Sequence, residues 1–505
     1  MNEPRTGHFF VVHGDLTTLS CDGLLIPCDQ DGSVSDWWFD MFQQTPSSGE
    51  RWEPLPPGAE LRRTARGPVR HEFVDTVSTG EDVGALVDVV RRGLAALAQR
   101  VGDSAGAGRM VPLLAMPMPG TGNGGLDHRR GAVVQQLVPG LVRSATELRV
   151  DIALVVQGGR DYAALQGARG SSSFELSDEH TDHADRLGRL AGADQLSLFV
   201  GAGVSVPLGL PSWSGLVNAL LTRAGMQTVP DDSTESMLKD AAGQAKSKLG
   251  VTYDDTLAKM LHVQRHALGH ALLAGLQTQQ NVTSNFDRAL ELAMKPTHGD
   301  ELKVVAQQWA AAEAPWLLKL HGTAGDRHGV VLTTEDYRAH REAGEPLYGL
   351  VQALLMTSHL LFVGFSLTDN AYLEKARPVA DIYQRAGAGS RKVATALGLK
   401  SLADEERVMD RAFDHLSFGR EEHGVPAAAR TLEIFLDRVA WTAARSREGA
   451  HSYLMDRRYD DLVKEQHGED LRTALENVRD VARRSKSPAA LHVLDQLQEF
   501  GAGAP

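Results

Sequence analysis

The sequence predicts an α/β protein of two layered domains, each built on a largely parallel sheet. Three observations carry that expectation. The 505 residues exceed what a single hydrophobic core organises, so two or three domains are expected. Short apolar runs recur, each closing on glycine or a small polar cluster, which suits strands buried on both faces. Stretches with helical spacing separate those runs, and alternating strands and helices make a layered α/β architecture.

Composition narrows the function classes. Hydrophobic residues make up 42% and charged residues 23% of the chain, ordinary for a soluble protein. A net charge of −13 disfavours nonspecific nucleic-acid binding through a basic face and leaves only a local patch. Cys21 and Cys28 are too few for a disulfide framework or a four-cysteine zinc site. That poverty suits a reducing cytoplasm, the expected location. The opening MNEPRTGHFF lacks a signal-peptide pattern, and no apolar run approaches the ~20 residues that span a bilayer.

In chain order, residues 8–13 (HFFVVH) and 22–28 (DGLLIPC) read as buried strands. Residues 30–80, with Trp37, Trp38, Trp52 and the prolines Pro54, Pro56 and Pro57, read as irregular with one short helix. From Val83, the residues Leu86, Val89, Val90, Leu94 and Leu97 recur at helical spacing until Gly102. Residues 109–118 form a strand that breaks into Gly120, Thr121, Gly122, Asn123, Gly124 and Gly125. A helix over Arg130–Leu148 and a strand over Ile152–Val156 complete a domain at residues 1–165. The polar stretch 166–182 (QGARGSSSFELSDEHTD) reads as a linker.

A second domain is expected over residues 183–440, starting with a helix near Ala184–Ala191. Its organising stretch is LSLFVGAGVSVPLGLPSW, from Leu196 to Trp213. A strand breaks at Gly201, Ala202 and Gly203, then runs through Val204 and Ser205 toward a helix from Ser212. Strand, glycine turn and helix can aim backbone N–H groups at a pyrophosphate; a plain tight turn explains this motif equally well. Three more apolar runs end in polar groups: NVTSNFD at 281–287, WLLKLHG at 316–322 and LLFVGFSL at 360–367. The carboxyl ends of parallel strands are where open α/β sheets bind ligands. Residues 214–280 form a helical module. Its His262, His266 and His270, at i, i+4 and i+8, lack a carboxylate or cysteine partner and read as a solvated or packed face, not a metal site. His415–Phe418 reads as a last strand. Residues 441–505 form a helical extension expected to pack on this second domain or on a neighbouring subunit.

GAGVS with GLPSW, TSNFD, KLHG and VGFSL, in that order over Leu187–Val439, resemble the sirtuin NAD-binding fold, and more closely its bacterial antiphage NADase branch, the Thoeris-effector type. The resemblance implies NAD+ as substrate, with Gly201, Ala202, Gly203, Val204, Ser205, Gly364 and Ser366 at its pyrophosphate and ribose. It implies that Asp287 and the backbone near Phe286 hold the carboxamide and that Asn285 positions the ribose hydroxyls or the attacking water. His321, which ends a predicted strand and precedes a glycine, is the expected proton acceptor, a task worth ~10²–10⁴-fold in rate. Asp369 reads as a helix N-terminal carboxylate. The stretch Gly322–Leu360 lacks the cysteines of the deacylases' zinc ribbon. No metal is therefore expected, and water becomes the acceptor, giving nicotinamide and ADP-ribose. A protein deacylase or ADP-ribosyltransferase, and a nonenzymatic NAD-responsive binding module, are the competing readings.

The first domain resembles a macro domain, through GDL at 14–16, DGLLIP at 22–27 and PGTGNGG at 119–125. The expected fold class is therefore α/β throughout: a macro-like α/β/α domain, then a sirtuin-type Rossmann-like sheet with a helical insertion and helical C-terminus. The resemblance implies that Asp15 holds an adenine and that the loop Gly120, Thr121, Gly122, Asn123 and Gly124 cradles phosphate. Pro27-Cys28-Asp29-Gln30 replaces the family's asparagine-rich stretch, so binding is expected in place of ADP-ribosyl hydrolysis. A scaffold with an empty cleft is the alternative. Together the two domains suggest a sensor for an ADP-ribose-like or cyclic nucleotide signal that gates an NADase, depleting NAD+ in abortive infection. A homo-oligomer, and a trigger from a partner ATPase or a phage protein, follow from the same resemblance.

Overall fold

The apolar runs of this chain become strands buried at nearly every position, because helices cover both faces of parallel sheets. The computed structural model describes residues 6–30, 61–63, 69–102, 105–106, 108–122, 124–230, 233–305, 315–326, 329–365, 377–379, 381–382, 385, 392–399, 413–419, 424–485 and 487–503. They form two units, Met1–Gly192 with Ile434–Pro505, and Ala193–Glu433.

The first unit holds a sheet of β1 (Phe9–His13), β2 (Gly23–Cys28), β3 (Leu61–Arg63), β4 (Arg70–Asp75), β5 (Leu113–Pro117) and β6 (Asp151–Val156). The order is β1-β6-β5-β2-β4-β3, with β3 antiparallel to β4 and every other pair parallel. Strand β4 falls where irregular structure is expected. Its RHEFVD sequence hides a strand because Glu72 is fully buried and accepts from Arg100 at 2.8 Å. Helix α1 (Val83–Val101) starts on Asp82, whose side chain accepts from Ala85 N, and stops at Gly102 with φ +62°. Its Leu86, Val90, Leu94 and Leu97 enter the core with Leu137 and Leu141 of α2 (Arg130–Leu148).

The expected linker is instead built into this unit. Residues 166–182 span the end of α3 (Gly159–Ala168) and the start of α4 (Asp178–Gly192). Between them Arg169, fully buried, donates to Asp437 at 3.0 and 2.6 Å and to the carbonyl of Phe9 at 2.8 Å. His8 Nε2 lies 2.8 Å from the same carboxylate. A buried charge survives only when paired and hydrogen-bonded, so this polar stretch belongs to the core without showing apolar periodicity.

The second unit holds β7 (Leu196–Val200), β8 (Gln280–Thr283), β9 (Lys303–Val305), β10 (Trp316–Lys319), β11 (His359–Val363), β12 (Ala394–Gly398) and β13 (Phe413–Ser417). All pairs are parallel, in the order β13-β12-β11-β7-β8-β10-β9. Strands after β7 are laid first to one side of it and, from β11 on, to the other, so the switch point lies between β7 and β11. The expected helical module is α5 (Trp213–Arg223), α6 (Glu235–Leu249), α7 (Tyr253–Met260) and α8 (Leu268–Ala274), around a core that includes Leu216, Leu220, Leu238 and Leu257. Helices α9 (Ala289–His298), α10 (Thr334–Ala343) and α11 (Glu345–Thr357) follow.

The chain returns to the first unit within α12 (Val425–Ser446) and adds α13 (Asp460–Glu465), α14 (Glu469–Arg484) and α15 (Pro488–Gln498). These helices belong to the first unit. Tyr459 is buried against α2, where a Cβ on Gly131 would lie 2.8 Å from its Cα. Its hydroxyl donates to Asp161 at 2.6 Å. Among the described residues no single helix is long and apolar enough to cross a membrane.

Candidate active site

Four strand ends of the second unit bring the predicted site residues to one edge of its sheet. Gly201 to Ser205 follow β7, Asn285 and Asp287 follow β8, His321 follows β10, and Gly364 follows β11. The first and last of these loops flank the switch point. They are interlocked there, since Gly203 N–H donates to Gly364 O and Gly201 N–H to Val363 O, both at 2.9 Å. A Cβ on Gly201 would lie 2.4 Å from Gly364 O, and one on Gly364 (φ +67°) 2.6 Å from Val204 N. The glycines thus permit backbone to meet backbone.

Around this turn lies a buried polar network centred on Ser205. Its hydroxyl donates to Asp287 Oδ2 at 3.0 Å and accepts from Asn285 Nδ2 at 3.2 Å. His270 Nε2 lies 3.3 Å from the same oxygen. Ala267 N–H donates to His270 Nδ1 at 3.3 Å, which assigns the ring proton to Nε2 and makes His270 a donor to Ser205. Burial, reinforced by nearby His266 and Lys319, holds His270 at about 3, so it is neutral. The other Asn285 amide proton goes to Gly201 O at 3.2 Å. Thr283 fixes the turn, accepting from Asn285 N–H at 3.1 Å while donating to Val200 O at 2.8 Å. One atom stays open: the buried Oδ1 of Asn285 has no partner among the described residues. An unsatisfied buried acceptor is costly and calls for a function.

His321 is buried beside this network's strands. Its ring meets Tyr337 edge-on at 5.4 Å and His340 at 6.2 Å, and Tyr348 Oη lies 3.5 Å from its Nε2. Burial, then the neighbouring His340 and Lys239, holds His321 at about 3, so the imidazole is neutral at pH 7. Lys319, two residues earlier and equally buried, donates to the main-chain carbonyl of Asp287 and pairs with Glu291 of α9 at 2.9 Å.

Several expectations change. The amides of Gly203 and Val204 donate to Gly364 O and Gly201 O, at 2.9 and 3.3 Å. The glycine turn leads into a 3₁₀ segment, Ala202–Leu208, before α5, so no α-helix N-terminus follows it directly. Asp287 spends both carboxylate oxygens on Ser205 and on Ala289 N–H, and Phe286 O accepts from Ala324 N–H. His262 and His266 lie in the loop after α7, not on a helix face with His270. Ser366 and Asp369 lie outside the described residues. Sequence reasoning passed over His270 and Lys319 as site residues. The only signal was position, because Lys319 stands two before His321 and His270 heads the helix leading into β8. Among the described residues, no three His, Cys, Asp or Glu side chains are grouped to hold a metal ion.

In the first unit Asp15 follows β1 and the glycine turn follows β5, at the same edge of the sheet and separated by β6. Asp15 Oδ1 accepts from Thr17 N–H at 2.9 Å and Thr17 Oγ1 at 2.8 Å, capping a short 3₁₀ turn. The turn folds on itself, with Leu126 N–H donating to Gly120 O at 3.0 Å and a Cβ on Gly124 placed 2.7 Å from Gly120 Cα. Thr121 is buried, Gly122 has open space around it, and Asn123 lies outside the described residues.

Comparison with known proteins finds relatives over about a third of the chain. The chain is 25% identical over 181 residues to the NAD(+) hydrolase ThsA of Enterococcus faecium, covering 34% of this chain and 37% of that protein. It is 24% identical over 180 residues to the NAD(+) hydrolase ThsA of Bacillus cereus (strain MSX-D12), covering 35% and 38%. The third relative, from Acinetobacter baumannii (strain 532279), carries the same name at 23% identity over 190 residues, 37% of this chain and 39% of that one. The chain therefore spans less than two-fifths of the length of these curated relatives. Residues 280–408 match the family described as SIR2-like domain, a stretch that contains Asn285, Asp287, His321 and Gly364. The matched stretch lies within the second unit of this chain, which is similar over those residues to SIR2-like domains.

Proposed function

We propose that the second unit hydrolyses NAD+ to nicotinamide and ADP-ribose. The observation that carries this reading is the buried, open Oδ1 of Asn285, at the strand ends of a SIR2-like domain and followed on the next strand by a neutral His321. Asn285 cannot turn freely, since its Nδ2 is held by Gly201 and Ser205. Its Oδ1 accepts a hydrogen bond from a ribose hydroxyl or from the attacking water and so orients it. When the bond from C1′ to the pyridinium nitrogen breaks, its electron pair neutralises the ring and nicotinamide leaves. The water oxygen bonds to C1′, and its proton passes to His321.

We further propose, from the resemblances above, that the protein is an NAD+-depleting effector of antiphage defence. The macro-like first unit would bind an ADP-ribose-like or cyclic nucleotide signal that favours the active state. Homo-oligomerisation, and a trigger from a partner ATPase or phage protein, belong to the same proposal.

The test follows NAD+ and products with purified full-length protein, alone and with ADP-ribose or cyclic nucleotides, and in cells during phage infection. Equimolar nicotinamide and ADP-ribose, abolished by His321→Ala and Asn285→Ala, supports the hydrolase. Turnover that survives both substitutions, or NAD+ that never falls in any setting, overturns it. Loss of nucleotide activation in Asp15→Ala supports the sensor; nucleotides that leave turnover unchanged overturn that part alone.

A further inference from the structure

We propose that the exposed face of α14 is a contact surface for a second copy of this chain, the two helices pairing antiparallel about a twofold axis. The helix is amphipathic, with Leu471, Leu475, Val478, Val481 and Ala482 recurring at three- and four-residue steps. The first unit's core uses only one edge of that stripe. Leu475 packs against it and Ala482 is buried. Leu471, Val478 and Val481 remain 54%, 45% and 59% exposed. Ala474, also exposed, lies among them on the helical wheel and allows another helix to come close.

The charges say what covers this face. Glu469 and Asp470 begin the helix, and Arg483 and Arg484 end it. Neither Asp470 nor Arg484 makes an ion pair among the described residues. They flank the exposed stripe on the same side and stand about 21 Å apart along the axis, at 1.5 Å per residue. A parallel pair of such helices sets like charges together. An antiparallel pair sets Asp470 of each copy beside Arg484 of the other, twice by symmetry, with Val478 near the axis. Self-complementarity of one patch is the mark of a twofold homotypic contact. The same charges also suit the helix's own dipole, so the experiment separates the two explanations.

The mass of the full-length chain is measured by sedimentation equilibrium, with circular dichroism confirming that each surface variant is folded. Wild type is expected to self-associate and Val478→Glu to be monomeric. Asp470→Arg and Arg484→Asp, each creating two like-charge contacts, weaken association roughly tenfold or more. The double variant Asp470→Arg/Arg484→Asp restores it, although its charges oppose the helix dipole. A monomeric wild type overturns the proposal, as does association that persists in Val478→Glu. Association weaker in the double swap than in either single swap also overturns it, because the charges then serve only the helix itself.

Discussion

The ammonium of Lys319, at the end of β10, donates to the main-chain oxygen of Asp287, on the turn that follows the neighbouring strand β8. It therefore fastens the strand that carries His321 to the turn that carries Asn285. Glu291 balances the charge from the first turn of α9. A buried ammonium tolerates this position only with such acceptors.

Lys319→Met should lower the unfolding free energy by about 2–4 kcal/mol, since one buried partner is removed and Glu291 is left unpaired. Urea unfolding measures this. Lys319→Met with Glu291→Gln should recover part of the loss, because the stranded carboxylate is gone. Equal stability of the single variant and wild type would show that the pair does not hold the turn.

Ser205→Ala removes the acceptor shared by His270 and Asn285 and the donor to Asp287. The expected cost is about 1–3 kcal/mol, the range for leaving buried polar groups unsatisfied. If Ser205 is merely a small residue in a tight turn, the alanine variant will unfold with wild type.

The histidines set a pH dependence. His270 and His321 are held near 3 in the fold against an ordinary 6.5. Between those values the unfolded chain binds protons that the folded chain refuses, so stability is full above about 6.5 and falls with acidification. From pH 6.5 to 5, before most carboxylates titrate, the slope should approach about 1.4 kcal/mol per pH unit for each histidine. His270→Gln should flatten it by one histidine's share in denaturation curves at stepped pH. An unchanged slope in that variant would contradict a neutral, buried His270.

Two glycines separate strain from crowding. Gly209 and Gly364 both have positive φ, at +77° and +67°, but a Cβ meets nothing at Gly209 and meets Val204 N at 2.6 Å at Gly364. Gly209→Ala should cost only the backbone strain, about 1–2 kcal/mol. Gly364→Ala should cost clearly more and part the interlocked loops. Similar thermal shifts in the two variants would mean that the loops yield easily.

The strand ends were readable because each combines two local signals, an apolar run and a polar or glycine stop. Asn285, His321 and Gly364 were found that way. What escaped depends on partners distant in the chain. Arg169 looks like linker until Asp437 is placed against it, 268 residues away. Glu72 looks unfit for a strand until Arg100 is seen beside it. His270 was grouped with His262 and His266 by spacing, yet the chain leaves the helix at Leu261 and resumes at Leu268. The commitment of the Gly203 amide also lay beyond local pattern, since the acceptor sits on another strand's loop.

The return of residues 434–505 to the first unit fixes an order of events during synthesis. The amino-terminal unit emerges from the ribosome first and is finished last. Translating residues 193–433 takes roughly 10–50 s, and throughout it the guanidinium of Arg169 has no Asp437 to meet. A nascent chain can complete its SIR2-like unit while its first unit still waits for a segment that has not been made. Premature termination near residue 433 would therefore release a complete second unit joined to an unfinished first one.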